Sequence, residues 1–402
     1  DRVQPLPLSA RRPVFVGYEY TTAPARRPGK LTTTAHAVSE GRRPMDSRER
    51  FHATFDYGDP DRVFMYPQWT FGETRQRWLR EGMPADVHFN TYFGYDRIET
   101  IPINTGLIPS TESTVVEQTA NWRIVEDEFG GRTKTWTDRE IGMPQWITYP
   151  VRDWDTWNRW KARLDPDNPT RYPEYWEQLK RSYAQRDFPL GINAGSYYGW
   201  IRNWVGMEHL ALWYYDQPDL VHDMVNTIAD FILRVNRRAL DEIPDIDHAV
   251  MWEDMAMKHG PLISPTLFKE FMLEPMKRVT RELNDYGIRL IMVDSDGNLD
   301  DLLPLWLEAN VNLIYPIERA AGCDAVRYRA EHGKELRMFG GIDKHVLRDG
   351  RTRQDIEKEV LAVAPLVEEG GFSPWVDHAV PPDVPFENFT YYMALVREIC
   401  GE

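Results

Sequence analysis

The chain has 402 residues, with 63 acidic against 48 basic side chains and a formal charge of −15. That length accommodates two or three domains or one large α/β barrel, and the 42% of hydrophobic residues can build a sizeable core. The acidic balance without a basic tract argues against nucleic acid and anionic membranes, no apolar run is long enough to span a bilayer, and two cysteines, Cys323 and Cys400, exclude a disulfide scaffold, a four-cysteine zinc site and a cysteine-held iron–sulfur cluster.

The charge is unevenly spread. Residues 1–44 hold eight basic and three acidic residues, a net +5, so the remaining 358 carry −20. This Pro- and Arg-rich stretch reads as an irregular basic arm. It lacks the apolar core of a secretory signal, and its acid-poor character has something of a transit peptide. A surface arm, or translated sequence upstream of Met45, is the favoured reading, with a cytoplasmic location for the whole. From Met45 to residue 402 the pattern is that of one folded catalytic domain. Strands are expected at 63–67, 98–103, 189–194, 249–253, 289–294, 312–317, 336–340 and 372–377; several are apolar without alternation, as in strands covered on both faces. Helices are expected at 219–240, at 265–286 behind the N-cap Ser264 and Pro265, and at 299–308, 353–368 and 385–398. Residues 115–150 break the alternation: 122–128, Gly130-Gly131 and 132–137 read as an inserted β-hairpin. Eight strands alternating with helices predict an α/β fold, a (β/α)8 TIM barrel with the hairpin and the arm as additions. A doubly wound sheet is the alternative; no Gly-x-Gly-x-x-Gly follows an early strand to support its nucleotide-binding form.

In a barrel, chemistry gathers at the C-terminal ends of strands. Those ends read Trp252-Glu253-Asp254, Asp294-Ser295-Asp296-Gly297-Asn298, Glu318-Arg319, Asp343-Lys344 and Asp377-His378. Carboxylates crowded into one mouth must protonate, pair with a cation such as Lys344, Arg319 or Lys258, or bind a metal. Asp294, Asp296 and His378 supply two oxygens and one nitrogen, a three-ligand set with open positions that admits Zn, Mn, Fe or Mg. Against this, either Asp alone serves equally well as the cap of the helix beginning near Asn298. His378 alone reads as well as an acid–base group or a satisfied core histidine. Glu253, Asp254, Glu318 and Asp343 are candidates for acid–base work or substrate contacts, and Lys344 for charge balance or an anionic substrate group. Trp69, Tyr197, Tyr198, Trp252 and Trp375 could wall a pocket for a small molecule such as a sugar, an aromatic ether or a macrocycle. Trp154, Trp157 and Trp160, at helical spacing, read as packing.

Motifs along the chain carry a resemblance. Met45-Asp46-Ser47-Arg48-Glu49-Arg50-Phe51 with Asp59-Pro60-Asp61-Arg62-Val63, Gly260-Pro261-Leu262-Ile263-Ser264-Pro265 with Glu274-Pro275, Gly340-Gly341-Ile342-Asp343, and Pro381-Pro382-Asp383-Val384-Pro385-Phe386 together resemble the uroporphyrinogen decarboxylase superfamily from Met45 onward. The true decarboxylases of that superfamily carry an Arg-Gln-Ala-Gly-Arg type segment after the first strand and an Asp after the second. Here those places read Trp69-Thr70-Phe71-Gly72-Glu73-Thr74-Arg75 and Ile98-Glu99-Thr100-Ile101-Pro102. The other branch comprises zinc methyltransferases that work with corrinoid proteins and bind zinc through His-x-Cys-Gly and a later Cys. Those places fall on Asp294-Ser295-Asp296-Gly297 and on His378, so the ligand positions hold metal-binding groups without sulfur. The resemblance implies a metal-assisted methyl transfer or O-demethylation, with zinc as the family's metal and a corrinoid protein as partner. Dimers occur in the superfamily. A decarboxylase or other lyase acting on a small carboxylate through carboxylate and histidine acid–base chemistry is the alternative.

Overall fold

The computed structural model describes residues 43–137 and 144–402; the arm at 1–44 lies almost wholly outside the described residues. Seven parallel strands form one sheet in sequential order: β1 (Glu99–Thr100), β2 (Leu190–Asn193), β3 (His248–Trp252), β4 (Leu290–Asp294), β5 (Leu313–Tyr315), β6 (Arg337–Ile342) and β7 (Phe372–Val376). Each neighbour is parallel, so each return must cross over the sheet, and long amphipathic helices such as Pro218–Glu242 fill those returns. No described helix is long and apolar enough to cross a membrane.

The expected strand at 63–67 does not form. Its amides are taken by other groups: Val63 N–H donates to the Cys400 carbonyl (3.0 Å), Phe64 N–H to Thr54 Oγ1 (2.9 Å) and Met65 N–H to Asp96 Oδ2 (2.8 Å). Pro67 has no N–H to offer a ladder. The segment nevertheless occupies the gap between β7 and the residues entering β1. Ser373 Oγ donates to the Phe64 carbonyl (2.7 Å), Asp96 N–H donates to the Met65 carbonyl (3.0 Å), and Val376 N–H donates to Gln68 Oε1 (3.2 Å). The expected strand at 98–103 shrinks to β1, with Pro102 two residues beyond it. The helix expected at 265–286 divides at Met272 into Pro265–Phe271 and Leu273–Asp285, where Pro275 withholds an amide.

The barrel interior is a separate apolar cluster. Phe64, Val250, Leu290, Met292, Leu313, Tyr315, Phe339 and Trp375 meet there, with Tyr66 and Ile98 against them. Helix α1 (Ser47–Phe55) inserts Phe51 and Phe55 into the same cluster, with ring centroids 5.3 Å (Phe51) and 6.4 Å (Phe55) from Phe64. A capping box starts α1, Asp46 accepting from Glu49 N–H and Glu49 from Asp46 N–H. Arg48 Nε donates to Asp247 Oδ1 (2.7 Å), one residue before β3, and His52 Nε2 lies 2.6 Å from the same oxygen. α1 therefore plugs the N-terminal end of the barrel and leaves access to the C-terminal end.

The hairpin expected at 115–150 is larger than a hairpin. Ser113–Gln118, Trp122–Asp127, Arg132–Trp136 and Gln145–Thr148 make a four-stranded antiparallel sheet. The Gly130-Gly131 turn joins the middle two strands, with Asp127 Oδ1 accepting from Phe129 and Gly131 N–H. Lys134 lies over the Trp122 ring at 4.0 Å, a cation–π contact across the sheet.

Candidate metal centre at the barrel mouth

The strand ends hold the site together through main-chain bonds. β3 continues into Glu253 and Asp254, whose N–H groups both donate to the Asp294 carbonyl at the end of β4 (2.9 and 3.2 Å). Ser295 points the other way from Asp294 and Asp296. It is buried, its Oγ accepts from Met255 N–H (3.0 Å), and its own N–H donates to the Tyr315 carbonyl (3.0 Å). The alternation of a strand thus turns Asp294 and Asp296 to one side. Gly297 then turns the chain at φ +90°, so close to its neighbour that a Cβ would sit 2.6 Å from the Ala256 carbonyl carbon. That approach aims the Gly297 N–H at Glu318 Oε2 (2.8 Å).

Asp296, Glu318 and His378 converge, with one ligand atom from each lying within 4.8 Å of the others. They are the one such group among the described residues. His378 Nε2 lies 3.2 Å from Asp296 Oδ1. Burial opposes a charged imidazole here, but the Asp296 contact and then the Glu318 charge outweigh it and raise the His378 pKa. Two carboxylate oxygens and one imidazole nitrogen suit a divalent cation of intermediate to hard character and leave coordination positions open. Asp294, which the spacing also offers as a ligand, does not join this trio; its charge reaches Tyr66 and Tyr315 and raises their pKa values. Burial first, and then the charges of Asp296 and Asp254, push its carboxyl well above the usual range. Glu318, read from the sequence as an acid–base candidate, is the carboxylate found beside Asp296 and His378.

The other candidates have distinct surroundings. Glu253 is fully buried and accepts from the N–H groups of Tyr197 (2.9 Å) and Tyr198 (2.7 Å) ahead of the helix Gly199–Val205. Burial pushes its pKa up to about 7, although those N–H bonds pull downward. Asp254, at φ +42°, pairs with Arg202 (3.0 Å). Asp343 accepts from His345 N–H (2.8 Å) and caps the short turn Lys344–Leu347. Lys344 Nζ lies 3.3 Å from Asp377 and 3.6 Å from Glu318. Among the aromatic candidates, Tyr197, Tyr198 and Trp375 are buried, Trp252 is half-buried under the Arg202 guanidinium, and Trp69 is 37% exposed. Trp69 meets Tyr315 and Trp375 edge-on, with centroids 5.9 and 5.6 Å away. Gln68, beside it, donates from Nε2 to the His378 carbonyl (3.1 Å).

Sequence reasoning passed over Tyr66, Tyr315 and Gln68, and named the buried Asp377 at a strand end without giving it a role. Asp377 carried a signal, standing next to His378 at a strand end. Tyr66 and Gln68 carried none, because their segment bonds through side chains rather than as a strand. Two surface clefts lie away from the mouth. One is lined by Gly58, Arg62, Gly370 and Gly401, the other by Asp167, Tyr172, Arg234 and Arg238.

A parallel sheet curled around an apolar interior, sealed at its N-terminal end and bearing clustered carboxylates and a histidine at the other, is the plan of a TIM-barrel-like enzyme. The family model for uroporphyrinogen decarboxylase (URO-D) matches residues 136–399, and the chain belongs to that family. A solved methyltransferase from Methanosarcina mazei is similar in fold, with a TM-score of 0.53 over 88% of this chain and 99% of that one. The two are 14% identical, so the likeness is one of fold. None of the curated proteins compared with the chain matches it.

Proposed function

We propose that this URO-D family member is a metal-assisted enzyme that transfers a methyl group from, or O-demethylates, a small molecule, with a corrinoid protein as its methyl-carrying partner. The observation that carries this reading is the convergence of Asp296, Glu318 and His378 from the ends of β4, β5 and β7. These three residues would hold the cation. Zinc is the metal of the methyltransferase branch that the chain resembles, but the sulfur-free donor set equally suits manganese, iron or magnesium. Such a cation supplies Lewis acidity that polarises an oxygen substituent. The chain's own groups do the rest: burial raises the pKa of Asp294 and so favours its neutral, proton-bearing form at the mouth. Trp69 offers a half-exposed ring face to an apolar or aromatic substrate. Lys344, beside Glu318, and Arg202, beside Asp254, are each engaged by carboxylates, which favours a substrate without a free carboxylate.

A second reading, decarboxylation or another lyase reaction, draws on Asp294 alone. A protonated carboxyl can deliver its proton to the carbanion left when carbon dioxide departs. The two readings separate in one experiment. Purified protein is analysed for metal, then incubated with candidate methyl ethers and a corrinoid protein while methylated product and carbon dioxide are followed. Stoichiometric metal lost in Asp296→Ala and His378→Ala, with methylated product, supports the first reading. Metal-free protein that retains full activity sinks it, and carbon dioxide release from a carboxylate substrate supports the second.

A further inference from the structure

Asp377 is a fully buried carboxylate directly beside a candidate metal ligand, yet it does not join the convergent trio. Its surroundings are fixed by main chain. Oδ2 accepts from Arg319 N–H (3.0 Å), the residue after Glu318, and Oδ1 accepts from Lys344 N–H (3.1 Å). It therefore links the ends of β5, β6 and β7 at one point. The same Oδ1 lies 3.3 Å from the Lys344 ammonium, which in turn lies 3.6 Å from Glu318 Oε1. The guanidinium of Arg319 is turned away toward Asp324 (2.7 Å) and Glu359 (3.2 Å). Among the described residues, Lys344 is the one side-chain cation paired with Asp377.

Glu318 is pulled two ways. One oxygen is held by the Gly297 N–H, and the other lies within reach of an ammonium that would compete with any divalent cation for it. An ammonium 15% exposed between two carboxylates is weakly screened, so its position matters. We propose that Asp377 is a positioning residue that holds the Lys344 ammonium off Glu318 and so leaves that carboxylate to the metal ion. Without the Asp377 charge, the ammonium has Glu318 as its one remaining carboxylate partner among the described residues and moves onto it. This rests on the metal reading above and extends it to a residue outside the ligand set.

The test is zinc and cobalt(II) binding to the full chain, by titration calorimetry and by the visible absorption of bound cobalt, in wild type, Asp377→Asn, Lys344→Met and the double variant. Asp377→Asn is expected to weaken binding by about 10–100-fold, the usual effect of removing a residue that orients ligands. Lys344→Met is expected to bind no more weakly than wild type, because the competitor is gone. The double variant is expected to recover affinity relative to Asp377→Asn, which a merely structural role would not allow. If Asp377→Asn binds as wild type does, or the double variant stays as weak as the single, the inference is overturned. Should Asp377→Asn fail to fold, Lys344→Met decides alone: weakened binding there means that Lys344 orients Glu318 rather than competing for it. If wild type binds neither ion, the metal reading itself fails, a result distinct from intact wild-type binding without this pattern among the variants.

Discussion

Asp294 and Asp296 differ by two positions, and a strand turns both to the same side, so spacing alone presents them as equal ligands. Depth separates them. Burial raises the pKa of Asp294, whose charge is felt by Tyr66 and Tyr315, while Asp296 reaches His378. Glu318 takes the third place because Gly297 turns back at φ +90° and its N–H fixes the carboxylate. Gly297→Ala should therefore cost about 1–3 kcal/mol in urea unfolding, the price of a strained backbone site, and should weaken divalent-ion binding as well. Unchanged stability and metal affinity would show that the turn tolerates a side chain. Glu253 makes a pH-dependent prediction. Its folded pKa of about 7 lies above the ordinary 4.5, so its contribution to stability is full below 4.5 and is lost as pH rises through 7. Relative to wild type, Glu253→Gln should gain about 3 kcal/mol between those limits. Parallel stability profiles for the two proteins over that range would refute the assignment. Both carboxylates were legible as strand-end acids; their different tasks were not, because a pKa depends on neighbours brought from other strands.

Elements were legible where the apolar period was strong. The long helix expected at 219–240 is present as Pro218–Glu242, and six expected strands overlap β2 to β7. Prediction failed where side chains replaced the backbone ladder, as at 63–67, and where a proline divided a helix. α1 shows the value of a short element: its own amphipathic signal is weak, yet Phe51 and Phe55 are both fully buried in the barrel interior. Phe51→Ala should destabilise the fold by about 3–5 kcal/mol in a denaturant melt. A loss below 1 kcal/mol, small against that range, would mean that the plug contributes little. Arg171 is a second case. Its guanidinium is buried and donates to the carbonyls of Asn104 (2.7 Å) and Gly106 (2.8 Å), tying the loop after β1 to the turn Pro169–Arg171.

At the scale of the molecule, two histidines at the plugged end bracket the pH range of stability. His248 is buried, its Nδ1 without a hydrogen-bond partner, its ring against Phe51 and over Gly191. Burial pushes its pKa down to about 4; the Asp247 charge opposes this and His52 assists it. The unfolded chain therefore binds more protons there between about 6.5 and 4, and stability should fall by up to about 3 kcal/mol as pH drops through that window. His52 behaves oppositely. Contacts with Asp247 and then Asp56 raise its pKa to about 9, so its contribution is full below 6.5 and lost as pH rises through 9. Its ring is 41% exposed, and water makes that limb the shallower. Glu253 acts in the opposite direction over an overlapping range, so the His248 limb is read as a difference: in thermal unfolding across pH 4–9, His248→Gln should gain about 3 kcal/mol relative to wild type as pH falls from 6.5 to 4. An acid limb unchanged in that variant would assign the loss to other groups.

Local properties of the sequence determined several things on their own: the alternation of apolar strands with amphipathic helices, the absence of sulfur from the ligand positions, and the acids at successive strand ends. These follow from side-chain period and chemistry, which act within a few residues. Only the tertiary structure decided which acids meet. Glu318 joins Asp296 and His378 because the ends of β4, β5 and β7 open onto one mouth, and because Gly297, Gln68 and Asp377 hold those ends in place. Burial settled the remainder. The same carboxylate chemistry gives a candidate ligand at Asp296, a carboxyl with a raised pKa at Asp294 and a group bound by the Tyr197 and Tyr198 N–H groups at Glu253, because water and opposite charge are available to each in different measure.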